Sequence, residues 1–279
     1  MFIQKLKFYS KYTLLILLVF FFSCEEKKLN LAFNIHNMSD QEYVLRSQMK
    51  VITSEDSTQP SVLNSLLKAR VKSSLVMAYD DGSGRYQILP DSIYYTSDEK
   101  SVEECNHIER YLLQQEFQFK MNTAGEMHDV SLTEMVPDLE HTDIDLRRLL
   151  LKIQPVLPAA PVYMGYTWER QHYFTEDEKK SFIYKWFEIN DVYDRNQQKF
   201  VRIRMNVKYK VDELSEKQIK LTSDDFILGS GEILFNATAG VIVKANLDVS
   251  GVIQINSMPQ TSNLGPMRVL QSISMESDF

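Results

Sequence analysis

Cysteine is scarce in this chain: there are two in 279 residues, Cys24 and Cys105. A disulfide framework is thereby excluded, and the fold must stand on its own hydrophobic core. Recognisable catalytic grammar is missing as well. The histidines stand at 36, 107, 128, 141 and 172, with no i, i+4 or His-x-His spacing of a metal site. No G-x-S-x-G, H-E-x-x-H or paired-carboxylate arrangement occurs. Glu176-Asp177-Glu178 and Asp224-Asp225 lack the ordered ligand ladder and terminal glutamate of a calcium loop. Gly229-Ser230-Gly231 is followed neither by a helix nor by Lys-Ser/Thr, which excludes a phosphate loop. These absences point away from an enzyme, and they supply no catalytic residue, metal or cofactor.

Acid is absent from the first 24 residues, which instead carry Lys5, Lys7 and Lys11 and then an almost wholly apolar run at 12–22. A charged start followed by about eleven apolar residues matches a secretory signal, and the run falls short of the roughly 20 needed to span a bilayer. It ends in Phe21-Phe22-Ser23-Cys24, which resembles the lipobox of bacterial lipoproteins. That resemblance implies cleavage before Cys24 and lipid attachment to its thiol, with each buried methylene adding about 0.8 kcal/mol of membrane affinity. Residues 1–23 then read as signal peptide and 24–28 as a short tether. Loss of three lysines takes the net charge from −7 to about −10. Such an acidic average argues against nucleic acid and against electrostatic adhesion to anionic lipid. The expected location is the cell envelope, on the outer membrane, with Cys105 left as a lone thiol.

What remains is dominated by alternation of period two, the mark of half-buried strands. It begins at residues 29–33 and runs through 43–52, 69–79, 85–95, 116–121 and 126–131. Asp80-Asp-Gly-Ser-Gly84 and Asn122-Thr-Ala-Gly125 supply turns between these segments. Residues 102–114 fit either a short helix or a strand edge. A helix is expected at about 142–153, with Thr142 as cap and Leu146, Leu149, Leu150 and Ile153 as its apolar stripe. Residues 155–161 are proline-dense and are the best candidate for a break between an N-terminal half, 29–154, and a C-terminal half, 155–279, with one continuous domain as the alternative. Strands follow at 167–174, 181–193, 200–212, 226–236 and 241–256. The fold class is therefore mainly β: long antiparallel strands in a curved sheet, half-barrel or elongated sandwich, with that one mid-chain helix. A faint echo links Asn122-Thr-Ala-Gly125 with Asn236-Ala-Thr-Ala-Gly240, each set between two strands.

The run Leu157-Pro158-Ala-Ala-Pro161-Val162-Tyr-Met-Gly165-Tyr-Thr-Trp168, with the later Gly229-Ser-Gly231 hairpin, resembles a domain-of-unknown-function family of Bacteroidota-type β-rich lipoproteins. That resemblance implies a fold and a compartment and no reaction. In physical terms Trp168 opens a strand as a large core filler, and the strand glycines mark a bulge or close backbone approach.

Two groups invite a functional reading. Trp168, Tyr173, Phe182, Tyr184 and Trp186 crowd one stretch, where aromatics serve a core or else a ligand and partner surface. Cys105 and His107 lie close in sequence beside Glu103 and Glu104, and a hydrolase or redox site there would need a third orienting group. The favoured expectation is a lipid-anchored envelope protein whose curved sheet binds a hydrophobic ligand or a protein partner. An accessory subunit of an outer-membrane complex and an enzyme built on Cys105 and His107 are the alternatives.

Overall fold

Alternation of inward and outward side chains builds nearly every element of this molecule. The structure, a computed structural model, describes residues 28–55, 60–132, 145–173, 182–210, 226–253 and 264–277. Cys24 with its lipobox-like run, Thr142 of the expected helix cap, and the acidic runs at 176–178 and 224–225 lie outside the described residues. Among the described residues eleven strands form: β1 Gln41–Glu55, β2 Ser61–Ala78, β3 Gly84–Ser97, β4 Phe117–Met121, β5 Met127–Leu132, β6 Thr167–Tyr173, β7 Phe182–Arg195, β8 Gln198–Lys210, β9 Phe226–Asn236, β10 Val241–Ile253 and β11 Leu264–Ser277. The described residues also form two helices, α1 Val102–Leu113 and α2 Leu146–Ile153.

All strands belong to one antiparallel sheet in the order β5-β4-β3-β2-β1-β11-β10-β9-β8-β7-β6. The chain meanders outward from β1 to one edge, crosses through α2 to the other edge, and meanders back until β11 closes on β1. The central pairing therefore joins the first and last strands, Tyr43 opposite Ser277 and Val51 opposite Val269. Strands before and after the proline-dense stretch are thus parts of a single sheet. It is not closed into a barrel.

One face of the sheet buries Leu45, Val71, Ile203, Ile233, Leu247 and Ile273, each at 1% exposure or less. The chain fills this inner side with its own parts. Residues 29–38 lie across it with Leu31, Phe33 and Ile35 buried. Sequence alternation at 29–33 predicts a strand, yet the segment makes only the single bridge Leu29–Val162 and stays outside the sheet. It is pinned by two hairpin tips: the Phe33 amide donates to Thr123 O at 2.7 Å and the Asn34 amide to Gly240 O at 2.9 Å. Here the sequence echo takes physical form. Asn122 Oδ1 accepts the amides of Ala124 and Glu126, and Asn236 Oδ1 those of Thr238 and Ala239. Each turn ends in a left-handed glycine, with φ 87° at Gly125 and 69° at Gly240.

A methyl group on Gly125 would meet the Phe33 ring and lie 2.7 Å from the Pro155 carbonyl. Gly125→Ala is therefore expected to cost about 3 kcal/mol or more, read as a lowered denaturation midpoint. A variant as stable as the parent would mean that this hairpin does not hold the N-terminal segment.

The two helices seal what strand pairing leaves open. β4 pairs with β3 only over Gly84–Ile88, so the rest of β3 has a free edge. The Tyr95 amide on that edge is taken by the Glu109 carboxylate of α1 at 2.7 Å. A capping box between Ser101 and Glu104 starts α1, settling the ambiguity of residues 102–114 in favour of a helix and adding a second helix to the one expected. Asp145 caps α2 at the Arg147 amide, and α2 packs on the inner face against β10 and β11. The prolines at 155 and 158 then run buried along the interior, with the Leu157 amide donating to Ala124 O at 2.7 Å.

Candidate ligand-binding interior

The end of α2 leaves carbonyls without helical partners, and the sheet answers with a lysine. Lys185, inward-facing on β7, is 3% exposed and donates to Leu151 O at 2.5 Å and Gln154 O at 2.7 Å. A cation at a helix C-terminus also favours the helix dipole. Burial pushes its ammonium down to about 7. On the other side of α2, Lys152 donates to Gln271 Oε1 at 3.0 Å, and Gln271 Nε2 donates to Ser47 Oγ at 2.9 Å. These contacts clamp α2 between β7, β11 and β1. Trp168 is locked nearby: its indole N–H reaches Val156 O at 2.7 Å and its ring stacks on Phe187 at 5.0 Å. Gly125 and Met127 from one side and Arg170 and Lys185 from the other enclose a void of about 10 Å³. That space takes no more than a single water.

Beyond this clamp the inner face changes character. Register places Lys185, Val207, Gly229, Val249, Gln271 and Met49 on one transverse row. The next row outward runs Ile183, Tyr209, Ile227, Gly251, Val269, Val51 and Leu63. Ile183 and Ile227 are buried, whereas Met49, Val51 and Leu63 are only half-buried. The inner face therefore continues, apolar, past the last turn of α2 and lies partly uncovered over β1 and β2. The members of that row on β1, β2 and β11, namely Val51, Leu63 and Val269, are all apolar.

Of the sequence-predicted aromatics, Trp168 lies on one face of the sheet and Tyr184 and Trp186 on the other. Trp168 faces inward and is 8% exposed, a core anchor. Tyr184 and Trp186 stack on each other at 6.0 Å on the opposite, outer face, with Trp186 38% exposed. Tyr173 and Phe182 are cross-strand partners at the ends of β6 and β7. Outer-face residues Gln48, Lys50, Leu228, Asp248, Ser250 and Leu270 border a wide trough of about 620 Å³ over β9, β10, β11 and β1.

Cys105 and His107 are brought no closer by the fold. Cys105 is buried beneath α1, and His107, two residues on, is exposed. Residues two apart on a helix do not share a face. Among the described residues no group of three His, Cys, Asp or Glu side chains could hold a metal ion.

Sequence reasoning passed over Lys185, Lys152, Gln271 and Ser47. Their signal was a polar residue at an inward position, as with Lys185 between Ile183 and Phe187, or Gln271 between Val269 and Ile273. Such positions carry a burial cost that only a specific partner offsets.

A scan against protein-family models finds no match, and a search of curated proteins finds none either. Among solved structures, the chain is similar to one described as "Lipid-protein interactions in lipovitellin", with a TM-score of 0.50 and 11% identity. The match covers 86% of this chain and 25% of that one, so this chain spans about a quarter of the length of the lipovitellin chain. At that identity the likeness is one of fold: a large open antiparallel sheet.

Proposed function

We propose that this protein is a non-enzymatic lipoprotein of the cell envelope, anchored through Cys24, that binds a hydrophobic ligand at the uncovered end of its curved sheet. The observation that carries the reading is the half-buried apolar set Met49, Val51 and Leu63 on the inner face past the Lys152–Gln271–Ser47 bridge. Folded chains cover inward apolar surface unless something else does so, and ligand sites are concave, apolar and sparsely polar. The similar solved structure concerns lipid–protein interactions in lipovitellin, which makes a lipid the first ligand to test. The lipobox-like run and the 157–168 motif support outer-membrane placement and kinship with the Bacteroidota-type lipoproteins.

A second reading, an accessory subunit of an outer-membrane complex, draws on the exposed Trp186 and Leu228 of the outer face. Native mass spectrometry of the protein purified from its host envelope separates the two. A bound lipid of discrete mass is the expected result, and a co-purified protein would favour the second reading. A bare chain that also takes up no lipid offered to it would sink the ligand reading.

A further inference from the structure

An average charge of −7 conceals a concentration of the opposite sign. On the outer face, Arg46 of β1 stands directly opposite Lys68 of β2, and Arg70 follows two residues along the same strand. Like charges directly opposed across strands destabilise a sheet. Four other cations of this face are matched with acids: Lys72 with Asp40, Arg202 with Glu232, Arg204 with Glu188 and Lys244 with Glu276. No described acid pairs with Arg46, Lys68 or Arg70. Their cross-strand neighbours are Ser274 beside Arg46, Tyr94 beside Lys68, and Val44 and Ser92 beside Arg70. The three cations, with Val44, Ser92 and the exposed Tyr94, border a cleft of about 330 Å³.

We propose that this cleft binds the phosphate ester of a ligand whose body lies against Tyr94. A phosphate offers at least three acceptor oxygens, enough to engage three separate donors, where a carboxylate offers two. The like-charge pair is then a preorganised anion site whose repulsion the ligand relieves. The rigid strands fix the spacing of the cations, and the ring and Val44 give an apolar wall for a sugar or glycerol body. This site lies on the other face of the sheet from the hydrophobic interior and stands or falls independently of it.

The test measures binding of glucose 6-phosphate to the full chain by calorimetry, beside flotation with phosphatidylcholine vesicles with and without phosphatidic acid. Phosphatidylcholine alone reports the N-terminal apolar segment, and the increment due to phosphatidic acid reports the cleft. Lys68→Gln and Arg70→Gln are each expected to weaken binding by about tenfold or more, the range of one charge-assisted contact. Both variants should melt no lower than the parent, since each removes a repulsion. Binding of glucose 6-phosphate without a vesicle increment supports a soluble phosphate ester, and a vesicle increment supports a lipid headgroup. Failure of both arms, or binding that both variants keep at full strength, overturns the site.

Discussion

Lys185→Ala is expected to lower the stability of the folded chain by about 3–5 kcal/mol, measured by chemical denaturation near neutral pH. Two losses combine. The four-carbon stem between Ile183 and Phe187 vanishes from a position only 3% exposed, leaving a cavity where α2 meets β7. The carbonyls of Leu151 and Gln154 also lose the donor that closes the helix. Lys185→Met separates these effects, because it keeps the stem and removes only the amine. It should cost clearly less than alanine. Equal stability of alanine variant and parent would show that α2 is not held from β7.

The same residue sets a pH dependence whose sign follows from its environment. Burial lowers the folded-state value to about 7, against an ordinary value of 10.5. Below pH 7 both folded and unfolded chains hold the proton, and the fold bears the full cost of a buried ammonium. Between about 7 and 10.5 the unfolded chain still holds the proton while the folded chain has released it, so stability rises with pH. The two carbonyl acceptors favour the charged form and reduce the effect. A gain of about 1–2 kcal/mol between pH 7 and pH 9 is expected for the parent, out of 1.36 kcal/mol per unit at most. The contribution should be absent from Lys185→Met across the same window.

The sheet was legible wherever alternation was unbroken. Phe226–Asn236 is read in full because each inward apolar residue or glycine is followed by an outward neighbour. The central strand β11 was missed, although Val269, Ile273 and Met275 alternate, because Gln271 and Ser277 interrupt its inward face and Leu264-Gly-Pro266 opens it like a loop. The reason for the interruption is tertiary: Gln271 bridges Lys152 and Ser47, partners 119 and 224 residues away. No local pattern encodes such a pair. Helix α1 was more accessible than its ambiguous reading allowed, since Ser101-x-x-Glu104 is a capping-box signature and Cys105, Ile108 and Leu112 repeat at helical spacing. The candidate site was the least legible part. Aromatic density drew attention to Trp168 and Trp186, which the pleat sends to opposite faces, while Val51 and Leu63 look like ordinary strand residues. Only register shows that they share a row lying past the end of α2.

That shared row allows a decisive variant. Val51 and Leu63 are direct cross-strand partners on β1 and β2, so Val51→Lys together with Leu63→Glu places opposite charges face to face. Such a pair supports the strand pairing instead of breaking it, and both positions are half-buried, so folding should survive with a modest loss. The apolar surface of both side chains disappears from the inner face, and full burial of each by a ligand would contribute about 1.5–3 kcal/mol. Partial coverage halves that, so lipid affinity should fall by roughly tenfold to a hundredfold, read by displacement of a fluorescent fatty acid. Trp186→Ala, on the outer face, should leave the same titration unchanged. The reverse outcome, affinity kept in the double variant and lost in Trp186→Ala, would move the ligand to the outer face. That result would return the stacked Tyr184–Trp186 pair to the role the sequence first suggested for it.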